Sequence, residues 1–473
     1  MKFLILFPLL SLLLFLTLSS GKSRKVAFWV SLILFFDPGG FFSGYLDGNI
    51  LWRVKYYDVF FAFMLLAYAL EGQIKIIVDN VNKDYNKIFR YLLFITLYFL
   101  IITGILMPLL KGYPDFPFFI QKNRQYFYAL PLFIMTYTYS CTSIRIFYRI
   151  LITFSVIILI SYMLTLLTPI KIVPAYTLTR YGEADRIIMI SYSLIHWVLP
   201  MGIVFLALGK KNKLPYGNHL MSAFILMVIT IFLTLTRREL IRIIFMILVI
   251  PFLISKINRS LYINKYSKFI VPASGIVLIM VLIFPNYIDL TIRTINDAFH
   301  IVVTGKDTQG VEDYRITGTG DLKIVKDIIN KNPLFGIGFY PAQWSEIMVM
   351  KSAGDKLGLA LDAASEVPVY GALMTLGIIG LLIPLFLYWH LFKIWRKVYQ
   401  ILRDNFPGFI NYPVELLIIT TLSYFLLAKV TVDVYGLFGE FYSPYSFTGF
   451  VVILGMWLGI FQRFRIILSP GKY

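Results

Sequence analysis

Three arginines and a glutamate lie close together in the sequence, between two apolar segments of the chain. The run TLTRRELIR contains Arg237, Arg238 and Arg242, with Glu239 among them. On a helix, Arg238 and Arg242 share a face because they are four residues apart. Ionisable groups are costly at the edge of a membrane, so this grouping indicates an anion to be held. The alternative is that the arginines reach out to the interface and Arg242 pairs with Glu239.

Two more arginines and two carboxylates stand beside apolar segments. Arg180 lies in the run TLTRYGEADR and Arg315 in VEDYRITGTGD, while Asp362 and Glu366 precede the long apolar run that begins at Pro368. Each has an ordinary explanation when taken alone. Either arginine could be a solvated loop or surface ion-pair residue, and a carboxylate at the start of a helix is favoured by the helix dipole.

Together these side chains could perform glycosyl transfer from a lipid diphosphate. Guanidinium groups bind phosphate oxygens through two donors and never lose their charge, so several of them would suit a diphosphate carried by a lipid. They would stabilise the negative charge that develops on the leaving diphosphate. A nearby carboxylate would accept the proton of the attacking sugar hydroxyl.

Metal chemistry is not expected from the sequence. The single cysteine, Cys141, can form neither an intramolecular disulfide nor a cysteine-based metal site. The four histidines, His196, His219, His300 and His390, show no ligand spacing. We therefore expect no cofactor.

The composition indicates a polytopic membrane protein. The 473 residues are 59% hydrophobic and 15% charged, with a mean hydropathy of +0.77, whereas a globular chain carries roughly 25% charged residues. The formal net charge is +19. In this context the charge indicates membrane topology and attraction for anionic lipid, and not a nucleic-acid partner.

Apolar blocks predict about 12 or 13 membrane-spanning helices. The predicted spans are 3–19, 26–42, 57–71, 89–110, 127–141, 146–170, 187–209, 219–236, 239–256, 268–286, 368–391, 413–430 and 445–463. The first is interpreted as a span and not as a cleaved signal peptide, because its run is long and no small-residue cleavage pattern follows. The predicted fold class is therefore an all-α membrane helix bundle.

Basic clusters in short loops predict the orientation of the spans, because Lys and Arg resist translocation. Clusters near residues 22–25, 83–90, 210–213, 256–268, 393–403 and 463–465 agree on a cytoplasmic side. The opposite side then receives the loops 171–186, 237–238, 287–367 and 431–444. Lys111, Lys122 and Arg124 count against this scheme.

The segment 287–367 differs in composition from its surroundings, since it holds eleven of the 25 acidic residues and only eight Lys and Arg. So long a loop between spans is usually functional. The spacing of Leu322, Val325, Ile328 and Ile329 predicts a short amphipathic helix that ends before Pro333. Such a helix could face substrate or only pack the loop against the rest of the protein.

We predict that the chain has three parts: an N-terminal bundle (1–286), a long extracytoplasmic loop (287–367) and C-terminal spans (368–473).

The order of these motifs resembles a known family. The runs TRYG and TLTRRE are followed by YRITGTGDLKIVKDIINKNPLFGIGF and then by VYGALMTLGIIGLL. This order is similar to the O-antigen ligase and O-antigen polymerase superfamily of bacterial surface polysaccharide assembly. In that family an arginine precedes a helix that ends in a Pro-Leu-Phe-Gly-like turn, and a later span carries a Gly-x-x-Gly signature. The resemblance covers about residues 175–390, and each motif is degenerate.

The resemblance implies a metal-independent bundle of the C-type glycosyltransferase kind, with an undecaprenyl diphosphate-linked glycan as donor. Arg315 matches the family's essential long-loop arginine, and either Arg180 or Arg237 the other. The candidate residues for binding the diphosphate are Arg180, Arg237, Arg238, Arg242 and Arg315. Phe339, Tyr340 and Trp344 could stack on sugar rings or pack the loop.

One departure separates this chain from the ligases. Ligases carry a His-Asn pair shortly before the glycine signature, where this chain has Glu366 and Val367. Glu366, or failing that Asp362, becomes the candidate base. We therefore expect a polysaccharide polymerase of the bacterial inner membrane, acting at its outer face with a chain-length regulator as partner. The alternatives are an O-antigen ligase and a lipid-linked oligosaccharide flippase or other transporter.

Overall fold

The protein is nearly all helical in the part of the chain that the structure, a computed structural model, describes. The described residues are 2–37, 40–42, 49–51, 54–72, 83–110, 116–168, 175–180, 184–189, 193–208, 214–234, 321–338, 368–405, 411–431 and 444–468, with isolated residues between 243 and 304. Helices suit so apolar a chain, because each helix satisfies its own backbone polar groups away from water.

Twelve α-helices are described, together with two short segments of other helix types. In chain order the α-helices are α1 (Lys2–Leu18), α2 (Lys22–Phe35), α3 (Tyr56–Leu70), α4 (Lys83–Leu97), α5 (Met107–Leu110), α6 (Phe116–Leu167), α7 (Val198–Leu208), α8 (Gly217–Thr234), α9 (Asp321–Lys331), α10 (Pro368–Asp404), α11 (Pro413–Thr431) and α12 (Pro444–Leu468). A π-helix, Tyr98–Leu106, joins α4 to α5, and a 3-10 helix, Ser193–Trp197, precedes α7.

Four of the described helical segments are long and apolar enough to cross a membrane. They are Lys83–Leu110, Arg124–Thr165, Tyr370–Asp404 and Ser446–Ile466. Shorter apolar helices are Leu6–Leu18, Tyr56–Leu70, Leu194–Leu206, Gly217–Ile231 and Pro413–Leu427. These helices are compatible with a membrane protein. The predicted spans 239–256 and 268–286 lie outside the continuously described residues.

The chain forms two compact units that interleave along the sequence. Unit 1 comprises Met1–Val78, Cys141–Asn296 and Tyr399–Tyr424, and unit 2 comprises Asp79–Ser140, Asp297–Val398 and Phe425–Tyr473. The division into an N-terminal bundle, a long loop and C-terminal spans stays a prediction.

In unit 1, α2 packs through a fully buried aromatic side chain. The Trp29 indole N–H donates a hydrogen bond of 2.9 Å to Ser143 Oγ, and its ring lies 4.8 Å from the ring of Phe147. In the same unit, Arg24 donates to the backbone carbonyls of Thr17 and Leu70. Arg24 therefore ties the ends of α1 and α3 to the start of α2.

Replacing Ser143 by alanine is expected to lower the free energy of unfolding by about 1–2 kcal/mol, because the buried indole N–H of Trp29 loses this acceptor. Ser19→Ala is the matched control, since the exposed Ser19 hydroxyl donates only to the Phe15 carbonyl one turn before it. The control should change stability by less than about 0.5 kcal/mol. Denaturant unfolding followed by tryptophan fluorescence measures both, and equal stability of the two variants would contradict the assignment.

In unit 2, α12 packs closely on the first half of α6. A Cβ added at Gly459 would lie 2.8 Å from Ser140 Cβ, and one added at Gly455 would lie 2.7 Å from the Phe133 carbonyl oxygen. Glycines four residues apart form the small-residue pattern that lets two membrane helices approach. This pair of glycines was not predicted from the sequence.

The helices predicted at 127–141 and 146–170 meet at a kink within α6, where Ser143 has the non-helical values φ −139° and ψ 20°. The predicted break between these two helices is therefore confirmed. Two other predicted boundaries differ from the structure. The span predicted to end at 391 continues as α10 to Asp404, because the basic residues that follow are good helix formers.

The span predicted to begin at 187 begins instead as a β-strand. Strands β3 (Ala175–Arg180) and β4 (Ala184–Met189) form an antiparallel hairpin, and the helix starts only after them. Alternating β-branched residues such as Thr177 and Thr179 favour the strand. A second short hairpin joins β1 (Asn49–Leu51) to β2 (Val54–Lys55). The all-α prediction therefore holds for the helices and misses these two hairpins.

Candidate functional site

The amphipathic helix predicted between Gly320 and Pro333 is present as α9 (Asp321–Lys331). Val325 is fully buried, whereas Asp327 and Lys331 are exposed, as the apolar spacing predicted. The helix ends in a turn in which the Gly336 N–H donates to the Asn332 carbonyl at 3.1 Å. Pro333 cannot donate a backbone hydrogen bond, which explains why the helix stops there.

The chain that follows α9 inserts into a break in α10. At Gly377 the helix adopts φ 65° and ψ −177°, a conformation that is essentially restricted to glycine. Gly336 and Gly338 also have positive φ, at 68° and 86°. We call the contact between residues 332–338 and the broken part of α10 the Gly377 junction.

Five backbone groups that the break frees in α10 find partners at the Gly377 junction. On the near side, the carbonyls of Met374, Thr375 and Leu376 accept hydrogen bonds from the Ile337 N–H (2.8 Å), the Gly338 N–H (3.0 Å) and the Tyr98 hydroxyl (3.2 Å), respectively. On the far side, the Ile378 and Ile379 N–H groups donate to the Pro333 and Leu334 carbonyls at 2.9 and 3.1 Å. Irregular backbone in an apolar helix requires such satisfaction.

Glycines are required at the junction because backbones touch there. A Cβ at Gly377 would overlap the Leu334 carbonyl and lie 2.5 Å from the Gly336 nitrogen. One at Gly336 would lie 2.6 Å from the Met374 oxygen. A Cβ at Gly380 would lie 3.0 Å from Tyr98 Cε1. Gly377 and Gly380, the two glycines of the Gly-x-x-Gly signature, are thus each required for a different steric reason: Gly377 contacts the loop backbone, and Gly380 contacts the Tyr98 ring.

The π-helix Tyr98–Leu106 forms another wall of the junction. Gly338 packs against it so closely that an added Cβ would lie 2.8 Å from the Thr103 carbonyl oxygen and 2.9 Å from Met107 Cβ. π-Helical turns are rare and occur frequently at functional sites. Tyr98 and Thr103 were not predicted as residues of the site, because an apolar sequence does not indicate whether it forms an α-helix or a π-helix.

Near the junction, α9 and the start of α10 run side by side in the same direction. The Lys326 amino group lies 5.8 Å from the centre of the Tyr370 ring. Seven residues further along each segment, just past α9 and at the break in α10, Pro333 lies beside Gly377, since the Pro333 carbonyl accepts a hydrogen bond from the Ile378 N–H. Both helices therefore begin at the same end of the pair.

The structure describes few of the predicted site residues. Arg180 is the last residue of β3, where its backbone pairs with Ala184 across the hairpin. The other candidates lie outside the described residues: Arg237, Arg238, Arg242, Arg315, Phe339, Tyr340, Trp344, Asp362 and Glu366. Among the described residues, no group of three His, Cys, Asp or Glu side chains is placed to hold a metal ion.

The Gly377 junction can act as a support for chemistry carried by its neighbours. Its own contacts are backbone hydrogen bonds and apolar packing, which fix a loop to a helix. The segments that carry Arg315 and Glu366 lead directly into α9 and α10. Comparisons with protein-family models, with characterised proteins and with solved structures find no match for the chain.

Proposed function

We propose that the protein is a polysaccharide polymerase that transfers a lipid diphosphate-linked glycan onto the terminal sugar of a lipid-linked repeat unit. The observation that carries this proposal is the Gly377 junction. Two motifs that the resemblance pairs only by their order, the PLFG turn and the Gly-x-x-Gly signature, are hydrogen-bonded to each other although about forty residues separate them. A chance likeness of two degenerate motifs gives no reason for such a contact.

The first residues of α9 and α10 limit where the candidate catalytic residues can lie. Arg315 precedes the first residue of α9 by six residues, and Glu366 precedes Pro368 by two. An extended chain spans at most about 3.6 Å per residue, so these tethers reach about 20 and 7 Å. Because α9 and α10 begin at the same end, both tethers start from one region. This supports a shared site for Arg315 and Glu366.

In the proposed reaction, a hydroxyl of the acceptor sugar attacks the anomeric carbon of the donor glycan. The bond from that carbon to the diphosphate oxygen breaks as the new glycosidic bond forms. The hydroxyl proton passes to Glu366, or to Asp362 if that carboxylate is the base. Arg315 neutralises the diphosphate as it leaves. Diphosphate binding by Arg180, Arg237, Arg238 and Arg242 stays a prediction from the sequence.

The described ion pairs support the orientation that the proposal needs. Within the two units, Lys25 pairs with Glu71 (3.5 Å), Lys397 with Asp84 (2.8 Å) and Arg145 with Glu415 (2.8 Å). Each pair joins residues that the basic clusters assign to the cytoplasmic side. The Gly377 junction lies further along the predicted spans 89–110 and 368–391 than the pair of Lys397 with Asp84, which supports a site toward the opposite face.

Replacing Arg315 by alanine is expected to leave the protein inserted and folded but to abolish chain growth, because the departing diphosphate loses its principal cation. The assay uses protein reconstituted in liposomes with undecaprenyl diphosphate-linked repeat units, and follows the glycan ladder and released undecaprenyl diphosphate. Arg293→Ala is the control, because Arg293 is an exposed arginine of the same long segment outside the motif. A normal ladder from Arg315→Ala would remove Arg315 from the mechanism, and wild-type protein without any ladder would overturn the proposed function.

A further inference from the structure

Three helices of unit 2 bring their basic ends together around one carboxylate. Asp84 of α4 lies 2.8 Å from the Lys397 amino group of α10 and 3.6 Å from Arg465 Nη2 of α12. The rings of Tyr91 and His390 lie 5.3 Å apart and hold α4 against α10 at the same end. We call this end of unit 2 the basic platform.

The basic platform carries far more positive charge than its acid can neutralise. Its cations are Lys83, Lys87 and Arg90 of α4, Lys393, Arg396 and Lys397 of α10, and Arg463 and Arg465 of α12. Against these eight cations, the described residues 83–90, 393–398 and 461–468 hold one acid, Asp84, which leaves a formal charge of +7. Like charges so gathered repel one another, so the platform favours an anionic ligand.

The face of α10 that leads to the platform identifies the kind of ligand. Exposed apolar side chains recur along this face: Leu382 (47% exposed), Leu385 (43%), Phe386 (62%), Trp389 (61%) and Phe392 (43%). Their spacing of three and four residues forms one continuous stripe. A stripe of this kind within a candidate span meets acyl chains.

At the end of the stripe, two aromatic side chains each contact a cationic side chain. The Lys393 amino group lies 5.1 Å from the Trp389 ring centre, and the Arg396 guanidinium lies 5.1 Å from the Phe392 ring centre. Both cations stand at the end of the apolar stripe, where lysine and arginine side chains of membrane helices meet the interface. The two cations therefore stand at the level of lipid phosphates.

We infer that the basic platform, with Lys393 and Arg396 at its centre, is a binding site for anionic phospholipid headgroups. The acyl chains lie along the stripe of α10, and the phosphate is held by the cations just beyond Trp389. The stripe favours lipid over a soluble polyanion, because only a lipid occupies both the apolar and the cationic part of this face. The inference does not depend on the proposed function.

The test compares lipid retention by the wild-type protein and by the double variant Lys393→Gln/Arg396→Gln. Each protein is reconstituted in phosphatidylcholine nanodiscs with or without phosphatidylglycerol, released, and analysed by native mass spectrometry. The matched control is Lys326→Gln/Lys331→Gln, which removes the same charge from α9. A cation near a membrane surface contributes about 1 kcal/mol to the binding of anionic lipid. The double variant should therefore retain phosphatidylglycerol at least about tenfold more weakly, whereas the control retains it as wild type does.

Three results would overturn the inference. Equal retention by the double variant and the control would mean that only the net charge of the protein attracts lipid. Equal retention of phosphatidylcholine and phosphatidylglycerol by the wild-type protein would mean that the platform does not select anions. Unchanged lipid retention with a loss of dimer in the same spectra would assign the surface to a second copy of the chain. The thermal midpoint of each variant in phosphatidylcholine checks that folding is intact.

Discussion

Gly377→Ala is expected to lower the free energy of unfolding by about 3 kcal/mol or more, because its backbone conformation is one that essentially only glycine adopts. A methyl group there also overlaps the Leu334 carbonyl, so the loop must withdraw. Withdrawal leaves the freed carbonyls of Met374 and Thr375 without the N–H groups that they accept from. In an apolar helix, each carbonyl that loses its hydrogen-bond donor lowers the stability further.

Gly72→Ala is the matched control for this prediction. Gly72 has the same φ of 65°, but a Cβ there meets nothing within 4 Å. Its replacement by alanine should therefore lower the free energy of unfolding only by the cost of a left-handed backbone conformation, about 1–2 kcal/mol. Thermal or denaturant unfolding of the purified variants measures the difference. If Gly377→Ala is no less stable than Gly72→Ala, the break in α10 is not held by the loop.

Gly377→Ala also tests whether the Gly377 junction positions catalytic residues or only packs two segments together. If the Gly377 junction positions the segments that carry Arg315 and Glu366, Gly377→Ala should also abolish the glycan ladder at temperatures where the protein remains folded. Gly336→Ala should act alike, because its Cβ would lie 2.6 Å from the Met374 oxygen. A stable, fully active Gly336→Ala protein would separate the junction from the proposed chemistry.

Arg145→Ala is expected to destabilise the protein by about 2 kcal/mol, because it removes the half-exposed guanidinium that donates to a buried carboxylate. Arg145 Nε donates to Glu415 Oε1 at 2.8 Å, and the Glu415 side chain is 0% exposed. The Arg145 guanidinium also lies 5.9 Å from the Tyr412 ring centre. Glu415 stands in the first turn of α11, where the helix dipole favours its charge.

Arg403→Ala provides the control for Arg145→Ala. Arg403 pairs with Asp404 at 3.2 Å, but both side chains are about 60% exposed, so its loss should change stability by less than about 1 kcal/mol. The double variant Arg145→Met/Glu415→Leu should recover most of the loss, because it removes both charges together. Unfolding measurements on the wild-type protein and the three variants give these differences in stability. Equal effects of Arg145→Ala and Arg403→Ala would show that the Arg145 pair is no stronger than a surface ion pair.

The candidate site was predicted in its elements but not in its geometry. The amphipathic spacing in DLKIVKDIINK located α9, and Pro333 located its end, because both signals are local. The run VYGALMTLGIIGLL was interpreted as an uninterrupted span. Gly377 alone does not reveal the break, since an isolated glycine is tolerated within a helix.

The sequence by itself determined the helical, membrane-compatible character of the protein, because apolar length and basic clusters act locally on each segment. It could not show that residues 175–180 and 184–189 pair as strands. Only the tertiary structure decided that residues 332–338 open α10 at Gly377. The physical reason is that a broken helix is stable only where another segment supplies hydrogen-bond partners, and that segment lies about forty residues away in the chain.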